Sequence, residues 1–229
     1  MISRSLCKLW LLLAAQSVFS QEVPPLKTRT TPPAGSWLVG IDVSRMLLNN
    51  AAGYSGPYLE GIFKYKNPDR TRQPAFTAAL GYSRTLHKDT LYQNMVNYRV
   101  EGWYVKGGLE FGQLNPDQFS ATFGAQVVAS SFTDSGDFFF KNGYFGTETV
   151  VFRRAKLLRM GVEGISNLYF PIGRGFVLNI QSRLAYIFLT NPAPAASQPP
   201  MRYTPGFGLT GRGDISGGIS LQVLYRFGK

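Results

Sequence analysis

The chain has 229 residues and a formal net charge of +11, yet only 16% of its residues are charged, while 14% are aromatic and 25 are glycines. An ordinary globular domain carries about 25% charged residues, so the composition argues against a water-exposed surface of the usual kind. The single cysteine, Cys7, excludes an internal disulfide framework and a multi-thiolate metal site.

At the start of the chain Arg4 and Lys8 flank the apolar run Leu9–Ala15, and Val18-Phe-Ser20 precedes Gln21. A positive start, a short apolar core and a small residue before the cut predict a secretory signal peptide over residues 1–20. The run is too short to span a bilayer as a helix, which takes about 20 residues. Cys7 would leave with the signal, and the charge would fall to +9. An exported chain meets little nucleic acid, so lipopolysaccharide phosphates, anionic lipid and acidic envelope proteins are the expected counterparts of its positive charge. Residues 21–35, rich in proline and threonine, read as an extended periplasmic tail. Residues 36–229 remain for one domain.

From Ser36 onward, period-two alternation takes over. Trp37, Val39, Ile41 and Val43 oppose Gly40, Asp42 and Ser44, and Leu59, Phe63 and Tyr65 oppose Tyr58, Glu60 and Lys64. Phe76, Ala78, Leu80 and Tyr82 then oppose Thr77, Ala79, Gly81 and Ser83; Trp103, Val105, Leu109 and Phe111 oppose Tyr104, Lys106, Gly108 and Glu110. The same split recurs around Phe123, Leu168 and Leu178, and it is cleanest in the last strand, where Ile215, Ile219, Leu221, Val223, Tyr225 and Phe227 oppose Ser216, Ser220, Gln222 and Arg226. Eight such segments of about 9–11 residues predict an all-β, eight-stranded antiparallel up-and-down transmembrane barrel. The connections Asn67–Gln73, Gln113–Gln118 and Pro171–Gly175 are short and turn-like, and alternate with Leu47–Gly53, Thr85–Asn97, Phe132–Lys156 and Thr190–Asp214. Short turns on one rim and longer loops on the other predict both termini on the periplasmic side of an outer membrane.

Three groups of residues are candidates for function. Eight strands enclose only enough room for side chains, so Asp42, Glu60, Lys64, Lys106, Glu110, Arg159, Glu163, Arg183 and Arg226, all on the polar face, are expected to pair inside the lumen. In the third long loop Phe138, Phe139, Phe140, Tyr144 and Phe145 surround an Asn142-Gly143 turn. Two readings stand: strands continued above the membrane, or an added hairpin that makes ten strands, against an exposed patch that docks a partner protein. Basic residues gather at the outer rim, namely Arg84, Lys88, Arg99, Arg153, Arg154 and Lys156; guanidinium groups match phosphate oxygens, so lipopolysaccharide contact is expected there. No metal-ligand cluster or phosphate-binding loop is visible and no cofactor is expected. His87, the one histidine, leaves open a lipid A– or phospholipid-modifying enzyme. A soluble periplasmic ligand-binding barrel would show the same period with its apolar face inward.

Leu38-Val-Gly-Ile-Asp-Val-Ser44, Tyr203-Thr-Pro-Gly-Phe-Gly208 and the closing run Gly217–Phe227 resemble a family of small outer-membrane barrels of the Bacteroidota whose function is unassigned. The resemblance covers about a fifth of the chain and implies an eight-stranded barrel with no known catalytic residues. The sequence thus points to a non-catalytic accessory or structural subunit of an envelope assembly, contacting partners through its loops and tail.

Overall fold

A computed structural model describes residues 36–44, 56–66, 74–87, 95–112, 114, 118–142, 146–191, 203–209 and 214–227. The expected signal peptide and tail lie outside these residues, as do Lys88, Tyr144 and Phe145. The barrel strands are β1 (Ser36–Asp42), β2 (Tyr58–Lys66), β3 (Ala75–His87), β4 (Met95–Gly112), β5 (Ser120–Asn142), β6 (Gly146–Gly173), β7 (Phe176–Asn191) and β10 (Ile215–Phe227). Each pairs antiparallel with its neighbours in sequence, and β1 closes on β10 from Trp37↔Phe227 to Asp42↔Gln222. The two remaining elements, β8 (Tyr203–Thr204) and β9 (Gly208–Leu209), form a separate two-stranded sheet.

The alternation in the sequence becomes the two faces of this wall, because successive side chains of a strand point to opposite sides. Trp103, Leu80, Ile219 and Phe123 face away from the barrel and are 60%, 61%, 69% and 55% exposed. Glu60, Lys64, Lys106, Glu110, Glu163, Asn167 and Gln222 face inward and are buried. The apolar lumen of a soluble ligand-binding barrel is therefore not the arrangement adopted.

Aromatic side chains ring the short-turn end of the outer face. Trp37 packs at a tilt on Tyr65, Phe119 likewise on Phe170, and Tyr225 touches both Phe176 and Phe227, with ring centres 4.2 to 5.1 Å apart. A second aromatic level, Tyr82 against Trp103 at 4.8 Å, lies toward the other end. From Phe111 to Trp103 on β4 the chain advances about 27 Å, or roughly 21 Å along the barrel axis at a strand tilt near 40°.

β5 and β6 run for 23 and 28 residues, about two to three times what a tilted span requires. Their pairing continues to Asn142↔Gly146, so the expected third loop is mostly a hairpin that prolongs the wall. That decides the strand number: the hairpin adds none, and the barrel has eight rather than ten. Phe138 also departs from the expected exposed patch, being half-buried against Tyr98, Val100, Phe132, Leu157 and Tyr203. Phe139 is half-buried as well, and the side chain of Phe140 lies outside the described residues.

Candidate functional site

The interior is filled in layers. At the short-turn end Leu38, Ile62, Ala75, Leu114, Val177 and Leu224 make an apolar floor on which Tyr169 rests. Above it Lys64 donates to Glu110 at 2.6 Å and to the Tyr169 hydroxyl at 2.7 Å, while Tyr169 itself donates to the other Glu110 oxygen at 2.6 Å. An amide layer follows, in which Asn179 donates to Asn167 and Gln222, and Gln181 donates to Asn167. The next layer is ionic: Lys106 lies 3.6 Å from both Glu60 and Glu163, and Arg183 lies 3.5 Å from Glu163. Tyr104 donates to Glu60 at 2.5 Å and Gln126 to Glu163 at 2.6 Å. Six of the nine expected lumen residues are thus joined by ion pairs.

Asp42 and Arg159 are held differently, by neutral partners. Asp42 accepts from the backbone N–H of Ser44 at 2.7 Å and from the Tyr58 hydroxyl at 3.1 Å. Arg159 donates to the hydroxyls of Thr190 and Thr204. Arg226 is half-buried opposite Leu38, near the short-turn end.

Sequence reasoning missed the lid of this stack. β8, β9 and the turn between them fold into the barrel, where Phe207 is wholly buried with Val128, Ala185 and Ile187. Arg183 donates to the Gly206 carbonyl at 2.8 Å, Ser216 to that of Phe207, and Tyr203 shares a hydroxyl bond with Ser83 at 3.1 Å. Gly206 has φ +81°, and a Cβ there would sit 2.8 Å from the Tyr104 ring, so only glycine brings this turn against Tyr104. The signal was legible: Tyr203-Thr-Pro-Gly-Phe207 is a Pro-Gly turn between aromatics, inside a stretch read as an outer loop.

On the outer wall, just beyond the Tyr82–Trp103 level, a groove of about 590 Å³ runs along β5. The outward residues of β5 change there from Phe123 and Val127 to Ser131, Thr133 and Ser135, which line the trough. The sheet register stacks three rungs across it. Tyr82, Trp103 and Ser131 form the lowest, Arg84, Glu101 and Thr133 the middle, and Arg99, Ser135 and Arg153 the uppermost. Lys156 also lines the groove.

Two β-bulges shape this region. Opposite Gly136, β4 carries Asn97 and Tyr98, and opposite Thr133, β6 carries Ala155 and Lys156. Asn97 and Lys156 have φ of 56° and 59°, a left-handed conformation uncommon outside glycine. The second bulge inverts the in–out alternation of β6. Unbulged, counting back from the buried Leu157 would send Arg153 inward and Arg154 outward. Instead Arg153 is exposed and Arg154 is buried, bonded through two nitrogens to Asp134. This corrects the expectation for Arg154, which belongs to the interior and not to the basic rim. It also adds Asp134, wholly buried, to the interior charges.

Glu101 is the groove's one carboxylate. It accepts from Arg99 at 2.6 Å and from the Tyr82 hydroxyl at 2.8 Å, and Arg84 stands 3.8 Å away. The Arg99 bond, then that of Tyr82, holds its carboxyl below the usual range, so it is ionised at neutral pH. Among the described residues Arg153 and Lys156 have no acidic partner. Arg84, Arg99, Arg153 and Lys156 therefore come together on one stretch of wall, as the basic-rim expectation grouped them.

No protein-family model and no curated protein matches the sequence. Among solved structures, the chain is similar to the crystal structure of Neisserial surface protein A (NspA), at 12% identity and a TM-score of 0.40, over 84% of this chain and 95% of that one.

His87 is the last residue of β3, and its side chain lies outside the described residues. Among the described residues no group of His, Cys, Asp and Glu could hold a metal ion. Among the described residues no helix is long and apolar enough to cross a membrane, a statement that does not bear on crossing by strands.

Proposed function

We propose that this chain is a membrane-embedded barrel of the bacterial outer membrane that works without catalysis, as a structural or accessory component of the envelope. The observation that carries the reading is the inversion of the two faces. Leucine, isoleucine, valine and aromatic side chains cover the wall, while the carboxylates, ammonium groups and amides are enclosed. Each exposed apolar residue would be costly in water and is favourable in hydrocarbon, at roughly 25 cal/mol per Å². A closed barrel leaves no strand edge to satisfy, which is what a lipid environment demands. The band of about 21 Å between the two aromatic levels approaches the apolar height of about 25 Å expected of such barrels.

The interior supports an accessory role rather than a passage. Buried side chains occupy it from the Leu38–Leu224 floor to the Phe207 lid. Among the described residues, what is left to meet partners is the projecting β5–β6 hairpin and the groove at its base. Four experiments test the reading. Fractionation should leave the chain with outer membranes until detergent is added, and the folded form should migrate differently from the boiled form on a gel. Planar-bilayer recording should show no steady conductance, and mild-detergent pull-down should recover envelope proteins. Extraction by buffer alone, or a stable ohmic channel, would remove the proposal.

A further inference from the structure

The groove along β5 has the chemistry of a headgroup site. We propose that Arg99, Arg153 and Lys156, over the hydroxyls of Ser131, Thr133 and Ser135, bind the phosphate of an anionic lipid whose acyl chains lie on the apolar wall below. This rests on the reading of the chain as membrane-embedded.

Three observations carry the inference. The first is position: the cations begin where the apolar wall ends, one and two rungs above Trp103 and Tyr82, which is where a lipid's phosphate sits relative to its chains. The second is the cation balance. Inside the barrel carboxylates lie among the cations, whereas Arg153 and Lys156 have no acidic partner among the described residues. Glu101 is already engaged by Arg99 and Tyr82. That carboxylate fixes Arg99 at the trough's edge, and a phosphate would approach from the side that Arg153 and Lys156 leave open. The third is construction. The Ala155–Lys156 bulge, with its left-handed lysine, is what turns Arg153 outward. Bulges next to functional sites re-aim side chains in this way, and left-handed non-glycine residues concentrate at such sites.

The geometry suits a phosphate group. β4 and β6 flank β5, so Arg99 and Arg153 stand on strands about 10 Å apart, a gap two guanidinium arms can close on one anion. Guanidinium offers paired donors to phosphate oxygens, lysine a point charge, and the serine and threonine hydroxyls further donors. The same phosphate chemistry could come from a bis-phosphorylated glycolipid of the outer leaflet or from an anionic glycerophospholipid.

The test uses the full chain refolded in neutral detergent, with a bis-phosphorylated lipid A, the same glycolipid with its phosphates removed, phosphatidylglycerol and phosphatidylethanolamine as probes. Bound lipid is counted by native mass spectrometry, and folding is checked by gel shift. Retention of either phosphorylated anionic probe over its neutral counterpart is expected, and the probe retained identifies the source. In Arg153→Gln/Lys156→Gln, binding should fall roughly tenfold or more with folding unchanged. Arg174→Gln, at the short-turn end, should leave it unchanged. For the wild type, raising salt should weaken retention. Equal binding of neutral and anionic probes, or equal binding by wild type and double variant, would overturn the assignment. A chain that stays soluble without detergent would instead overturn the membrane reading beneath it.

Discussion

The lumen and the groove use the same residue types for opposite ends. Inside, Lys64, Lys106 and Arg183 lie among Glu110, Glu60 and Glu163, and tyrosines and amides add further hydrogen bonds to those carboxylates. On the wall, Arg99, Arg153 and Lys156 stand around a single carboxylate, Glu101, which Arg99 and the Tyr82 hydroxyl already engage. A buried charge is tolerable only when matched, so the interior's ionic groups are structural by necessity. An exposed cation owes little to stability, and its placement is informative about what it meets.

If that distinction is right, removing Glu163 has the largest effect. Glu163→Leu leaves Lys106 only Glu60, Arg183 only the Gly206 carbonyl and the Gln126 amide without its acceptor, and should cost about 3–5 kcal/mol, read by denaturant unfolding in detergent; a loss under about 1 kcal/mol would break the comparison. Next comes the lid. Gly206→Val combines a left-handed backbone with a clash on the Tyr104 ring, and about 2–4 kcal/mol should be lost in the same assay. A wild-type midpoint for this variant would mean that the lid packs elsewhere. Exposed sites fall well below these. Arg153→Gln/Lys156→Gln should shift stability by no more than about 0.5 kcal/mol while changing lipid retention, which separates recognition from folding. Smallest of all, Glu101→Gln should leave stability within about 0.5 kcal/mol and tighten retention of anionic lipid by releasing Arg99 and Arg84; weaker retention would mean that the carboxylate serves the site by orienting Arg99.

Much of the fold was written in the alternation, because one wall must meet apolar surroundings and the other an enclosed polar space. Ile215 to Phe227 divides between the two faces residue by residue as the period predicts. The lumen charges were legible for the same reason: a lysine or glutamate in phase with glycine and serine has nowhere else to point. Two features escaped. A bulge changes phase without changing composition, so Arg153 and Arg154, adjacent and alike, gave no sign of which one would turn inward to Asp134. The lid escaped because its aromatics, Tyr203 and Phe207, sit in a long connection where period-two reasoning has no purchase. The groove lay between these cases. Its cations were visible as a cluster, but the run Ser131, Thr133, Ser135 that opens the trough reads from sequence only as a less apolar stretch of strand.

The seam between β1 and β10 also fixes when the molecule becomes finished. β1 finds its second partner only in β10, so a polypeptide cut short in that strand leaves two open edges. In a bilayer every unmatched amide on those edges would cost several kcal/mol. Closure is then all-or-nothing: until β10 meets β1, the wall keeps two open edges that hydrocarbon cannot satisfy.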